Sequence, residues 1–127
     1  MLDWTRYPNF SLSEMACRCG CGKADMDPRF LEFLQRLRRD FGAPMPVSSG
    51  YRCPAHNVAE SHTGEAGPHT TGRAVDIAVR GPEALRLIAL AYSLGCRRVG
   101  VKQEGDRRFV HLDLCDDDAH PPALWSY

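Results

Sequence analysis

The chain has 127 residues, a length that fits one compact domain able to bury a single core without cross-links. Its 16 basic and 16 acidic side chains cancel, which removes the electrostatic footprint of a nucleic-acid binder. No apolar run approaches the roughly 20 residues that span a bilayer, and the first residues, with Asp3 and Arg6 and no apolar stretch behind them, do not read as a secretory signal.

Residues 1–27 hold Trp4, Tyr7, Phe10 and a glycine-punctuated cysteine run with no sustained period, so an irregular wrap over the core is expected. The first helix is predicted at 28–40. Asp27 caps it, Pro28 sits at its first position, and Phe30, Phe33, Leu34, Leu37 and Phe41 fall on one face before Gly42 and Pro44 end it. Val47-Ser48-Ser49 begins a short extended segment that delivers Gly50-Tyr51-Arg52, and a helical turn is expected at 54–60. Residues 61–73 are a loop by composition. They lead into Ala74-Val75-Asp76-Ile77-Ala78-Val79, a buried strand carrying a single charge. A second helix is predicted at about 82–94, with Leu85, Ile88 and Tyr92 as its inward face beside Ala84 and Ala91. Two antiparallel strands, 97–102 and 108–114, turn around Glu104-Gly105-Asp106. The tail, 116–127, reads as irregular, with three aspartates and two prolines. The sum is an α+β fold: a mainly antiparallel sheet with helices packed on one face and a metal cleft on the other.

The six cysteines admit more than one reading. A hairpin register that pairs Lys102 with Phe109 also sets Cys96 opposite Cys115, at disulfide distance. Cys17, Cys19 and Cys21 alternate in one tight run and, with Cys53, either hold a structural zinc or cross-link oxidatively.

Function is suggested by three residues in separate stretches. His69 and Asp76 are spaced as His-x6-Asp, and His111 follows in Val110-His111-Leu112-Asp113. Two imidazoles and a carboxylate suit Zn²⁺ and leave a fourth tetrahedral position open, the mark of a hydrolytic rather than a structural centre. An apolar strand does not bury a carboxylate such as Asp76 without a partner, and a metal is an obvious one. Asp113, two residues after His111, points to the same sheet face and can either orient an imidazole or face the reaction centre. His56, His62 and His120 read as surface histidines, although His62 is near enough to His69 in sequence to visit the cleft.

Ser49-Gly50-Tyr51-Arg52, Pro68-His69-Thr70-Thr71-Gly72-Arg73-Ala74-Val75-Asp76-Ile77 and Phe109-Val110-His111-Leu112-Asp113 together resemble the signature blocks of the zinc D-Ala-D-Ala carboxypeptidase family, whose fold is shared with the hedgehog signalling domain. Phe10-Ser11-Leu12-Ser13-Glu14 and the cysteine run are similar to small phage and prophage members, so the resemblance spans roughly residues 10–115. It implies one catalytic zinc on His69, Asp76 and His111, Arg52 on the substrate, and a peptide of bacterial peptidoglycan as partner. It further implies a monomer, cytoplasmic in the producing cell or phage-associated, that acts at the cell wall.

The sequence departs from the family in one place. Members carry a Glu or His base shortly before the second zinc histidine, where this chain has Arg108 and Phe109. Glu104, Asp106 and Asp113 are the remaining candidates for that base. Two competing readings stand beside the peptidase: a catalytically inactive, zinc-stabilised binding or structural domain of a phage particle, and a thiol-based metal or redox protein centred on Cys17, Cys19 and Cys21.

Overall fold

A computed structural model describes residues 1–127. The helices are α1 (Leu12–Met15), α2 (Pro28–Phe41), α3 (Pro54–Glu60) and α4 (Pro82–Ser93); the strands are β1 (Val47–Ser49), β2 (Ala74–Ile77), β3 (Arg98–Lys102), β4 (Phe109–Asp113) and β5 (Ala123–Ser126). They form the expected α+β arrangement around one five-stranded sheet in the order β1-β2-β4-β3-β5. All its pairings are antiparallel except β3 with β5.

The sheet's two faces follow from strand alternation. Val75, Ile77, Val110, Leu112 and Val99 join Phe30, Leu31, Leu34, Leu37 and Leu87 of the helices in one core cluster. Asp76, His111 and Asp113 occupy alternate positions and face the other way. Asp76 stands opposite His111 in the β2–β4 ladder, so the sheet itself sets these two candidate ligands side by side.

α2 begins and ends where capping chemistry places it. The Asp27 carboxylate accepts from the Arg29 N–H, and Gly42 closes the helix in the left-handed conformation. The N-terminal arm is more ordered than an irregular wrap. A 3₁₀ turn at Trp4–Arg6 and α1 punctuate it, and Ser11 caps α1 by accepting from the Glu14 N–H. Gln35, buried in α2, accepts from the Asn9 N–H (3.1 Å) and donates to Asn9 Oδ1 (2.6 Å), fastening the arm to the helix.

Three sequence expectations need correction. On α4 the buried residues are Ala84, Leu87 and Ala91, while Leu85 and Tyr92 are 71% and 59% exposed. Ala84, Leu87 and Ala91 make the face turned to the core, and Tyr92 instead lies under the Arg97 guanidinium, which is 4.0 Å from its ring centroid. The tail is not irregular, because β5 adds to the sheet parallel to β3, with the Ala123 N–H donating to Arg97 O and the Tyr127 N–H to Val101 O. The hairpin register is the expected one, Lys102 opposite Phe109, but Cys96 and Cys115 are not bridged. The Cys96 thiol donates to the carbonyls of Arg98 and Asp113, while Cys115 lies 3.7 Å from the Thr71 hydroxyl. Burial raises both thiols, Cys115 to about 11.

The two faces of α4 are distinguishable by mutation. Leu87→Ala is expected to lower the unfolding free energy by about 2–5 kcal/mol, the range for a buried leucine. Tyr92→Ala, on the exposed face, should cost under about 1 kcal/mol. Denaturant titration of the two variants checks this, and equal losses would contradict the packing described.

Candidate metal centre

Asp76 is 5% exposed and lies in the middle of the sheet's polar face. Its Oδ1 lies 3.3 Å from His69 Nε2 and 3.0 Å from His111 Nδ1; its Oδ2 is 3.5 Å from an Arg52 guanidinium nitrogen. Burial works against ionisation here, yet in the metal-free site His69 and His111, when protonated, outweigh it by charge and hydrogen bonding and hold the carboxyl well below the usual carboxylate range.

Each imidazole is oriented from behind. His69 Nδ1 lies 2.8 Å from Gly50 O, an acceptor only, so that nitrogen carries the proton and Nε2 presents its lone pair to Asp76. His111 Nε2 lies 2.7 Å from Asp113 Oδ2 and donates to it, which leaves Nδ1 as the lone-pair nitrogen. Asp113 has no exposure and does not line the cleft. Its Oδ1 takes the Arg98 Nε–H at 2.8 Å and the Cys115 N–H at 3.1 Å. Burial raises its pKa, but His111 and Arg98 together bring it below the ordinary value. Burial likewise opposes charge on His111, and the carboxylates of Asp113 and Asp76 prevail and raise it.

The consequence is a convergence of three lone pairs. His69 Nε2, Asp76 Oδ1 and His111 Nδ1 lie within 4.8 Å of one another, and when both rings are neutral their protons are committed to Gly50 O and Asp113. Such a cluster calls for a cation. An ion about 2.0–2.2 Å from each donor sets tetrahedral donors roughly 3.3–3.6 Å apart, close to the two separations from Asp76 Oδ1. The donor set therefore fits zinc, and the carboxylate and carbonyl behind the rings are the supports that metal-binding histidines use.

Arg52 follows β1. Its Nε donates to Ser49 Oγ (3.2 Å) and an Nη to Asn57 Oδ1 (3.3 Å), while its backbone N–H donates to His69 O. Asn57, fully buried in α3, was not singled out from the sequence. It also donates to Thr63 Oγ1 and Gly64 O, so one amide ties Arg52 to the loop that carries His62.

A cleft of about 480 Å³ opens over these groups. Glu60, Ser61, His62 and Thr63 line it on one side, Phe109, Trp125 and Tyr127 on the other. Trp125 lies 5.2 Å from the His111 ring and 5.1 Å from the Arg98 guanidinium. Gly100, opposite His111 in β3, makes room for the indole. A Cβ there would meet Trp125 Nε1 at 2.5 Å. The sequence reading missed Trp125 and Tyr127 because it placed no strand in the tail. Conversely, Glu104 and Asp106 lie exposed in the β3–β4 turn and do not line the cleft, because the hairpin carries its turn beyond the sheet's polar face. His62 does line it. His56 and His120 do not, and His120 pairs with Asp117 at 2.7 Å.

A model of the Peptidase M15 family matches residues 8–113, most of the chain and all three sequence blocks. The chain belongs to the Peptidase M15 family. Its members are zinc metallopeptidases, and the α+β fold agrees with theirs. No curated protein and no solved structure matches the chain. No helix is long and apolar enough to cross a membrane.

If Asp113 fixes the His111 tautomer, Asp113→Ala should weaken zinc binding about 10–100-fold while the protein stays folded. Competition titration against a chromophoric chelator measures this, and an unchanged affinity would refute the role given to Asp113.

Proposed function

We propose that this M15 peptidase hydrolyses an amide bond in peptidoglycan peptides, as a carboxypeptidase of the D-Ala-D-Ala type or as an endopeptidase. The observation that carries this reading is the three-way meeting of lone pairs on His69, Asp76 and His111 at the floor of an open cleft, with a guanidinium beside them.

When bound, zinc supplies Lewis acidity and brings the pKa of a coordinated water toward about 7. The chain's own residues do the rest. Arg52, braced by Ser49 and Asn57, presents a planar fork of N–H donors that suits a peptide's terminal carboxylate or a carbonyl oxygen gaining charge. Trp125 and Tyr127 form a wall that shields the reacting amide from bulk water. Asp113 holds the proton on His111 Nε2 and thereby positions a ligand rather than acting as the base.

Proton transfer falls to the opposite rim. Apart from the three metal-site residues, the ionisable side chains lining the cleft are Arg52, Arg98, Glu60, His62 and Tyr127. A guanidinium has no acceptor to offer, and burial raises the Tyr127 phenol above its ordinary value, so it too is a poor base at neutral pH. Glu60 and His62 are thus the groups suited to take a proton from water and return it to the leaving amine, at the Glu60 carboxylate or a ring nitrogen of His62.

The competing reading, a zinc-stabilised binding domain of a phage particle, rests on the sequence departure at Arg108 and Phe109, and the same assay decides between the two. Incubation with purified peptidoglycan should release new free amines, quantified by amine derivatisation. His69→Ala should lose the cleft metal and this release together; continued hydrolysis without that metal would eliminate the mechanism. In the Glu60→Gln, His62→Ala double variant kcat should fall about 10²–10⁴-fold with zinc content unchanged. Retained kcat would exclude both as proton carriers. No amine release by the zinc-loaded wild type would favour the binding module.

A further inference from the structure

A second convergence of ligating atoms lies away from the cleft and is made of sulfur alone. Cys17, Cys19, Cys21 and Cys53 place their Sγ atoms within 4.8 Å of one another. The separations are 3.4 Å for Cys17–Cys19, 3.7 Å for Cys17–Cys53 and 3.6 Å for Cys19–Cys53. No disulfide joins any of them. A tetrahedral zinc with Zn–S bonds of about 2.3 Å separates its sulfurs by roughly 3.8 Å, so these spacings suit four ligands of one ion better than they suit covalent pairs.

The backbone is shaped for that convergence. In an extended strand, residues 17 and 21 would stand about 13 Å apart at the usual rise per residue. Instead the Cys17 N–H donates to Lys23 O at 2.8 Å, and Gly20 and Gly22, both at positive φ, curl the run so that three alternate thiols face one point. The fourth comes from across the molecule. Cys53 is the N-cap residue of α3, but its side chain makes no capping bond. Its backbone N–H donates to Cys17 Sγ at 3.3 Å, and two residues earlier the Tyr51 N–H donates to Met15 O.

We propose that Cys17, Cys19, Cys21 and Cys53 form a closed, four-thiolate structural zinc site that clasps the N-terminal arm to the start of α3, one residue beyond Arg52. Four protein ligands leave no vertex for water or substrate, so the site is structural, and the tetrahedral all-sulfur set selects a thiophilic ion. It takes a ligand from the segment that carries the cleft's guanidinium, but its existence does not depend on what the cleft does.

The test counts metals in chains purified under a non-thiol reductant with zinc supplied. Wild type should carry a zinc-to-chain ratio of about two, and both the His69→Ala/His111→Ala and the Cys19→Ser/Cys21→Ser variants a ratio of about one. The cysteine variant should also melt at a lower temperature. Cobalt loaded into the histidine variant should give the intense near-ultraviolet thiolate-to-cobalt band, which decides the matter even if the cysteine variant does not fold. A cysteine variant with wild-type zinc content, or cobalt-loaded protein without that band, would overturn the proposal. Failure of the cleft reading shows differently, as a histidine variant that keeps the wild-type zinc content.

Discussion

A carboxylate placed among apolar strands stays ionised only if positive charge is brought to it, and Asp76 is built into the sheet on that condition. Its two oxygens divide the work. One faces both imidazoles, the other the Arg52 guanidinium. Neutral rings spend their single protons on Gly50 O and Asp113, so without a metal the rings must take up further protons to meet the requirement. The polar face is therefore organised around an electrostatic demand that a divalent cation meets with the least rearrangement.

That organisation depends on register. Asp76 and His111 are directly cross-strand, and a slip of one residue in either strand would turn its candidate ligand into the helical layer and bring an apolar neighbour into the cleft. Register is in turn held by the apolar sets on the opposite face, so core packing and site geometry are one constraint seen from two sides. Arg98 extends it outward, joining the Asp113 carboxylate to Pro121 O and so linking the support of His111 to the tail that delivers Trp125.

The sequence was most legible where period and punctuation agree. Asp27-Pro28 and Gly42 bracket α2, and the turn at Glu104-Gly105-Asp106 sets the hairpin register. The meeting of His69, Asp76 and His111 was legible because a charge in an apolar strand has few explanations, and because three blocks resemble those of a known family. α4 misled because it carries two overlapping apolar stripes, and the one with Ala84, Leu87 and Ala91 is buried while the one with Leu85 and Tyr92 is exposed. β5 was missed because four residues after an acidic, proline-containing stretch are too few to show a period. Its partner lies more than twenty residues upstream, in parallel; the alternation of Trp125 and Tyr127 and the lone glycine at 100 were its only cues. Glu60 and His62 lacked any pattern. Only the folding of α3 and its following loop brings them over the metal-site residues.

The sheet's boundaries bear on how a peptide can be held. β1 is three residues long with a break in register, and its continuation is covered where Tyr51 bonds to α1; β5, at the other margin, has four residues. Margins so brief leave an extended chain little free backbone with which to extend the ladder by strand addition. Under the proposed function, discrimination among peptides then rests on side chains lining the cleft, with Trp125, Tyr127 and Arg52 as the surfaces where selectivity can be tuned.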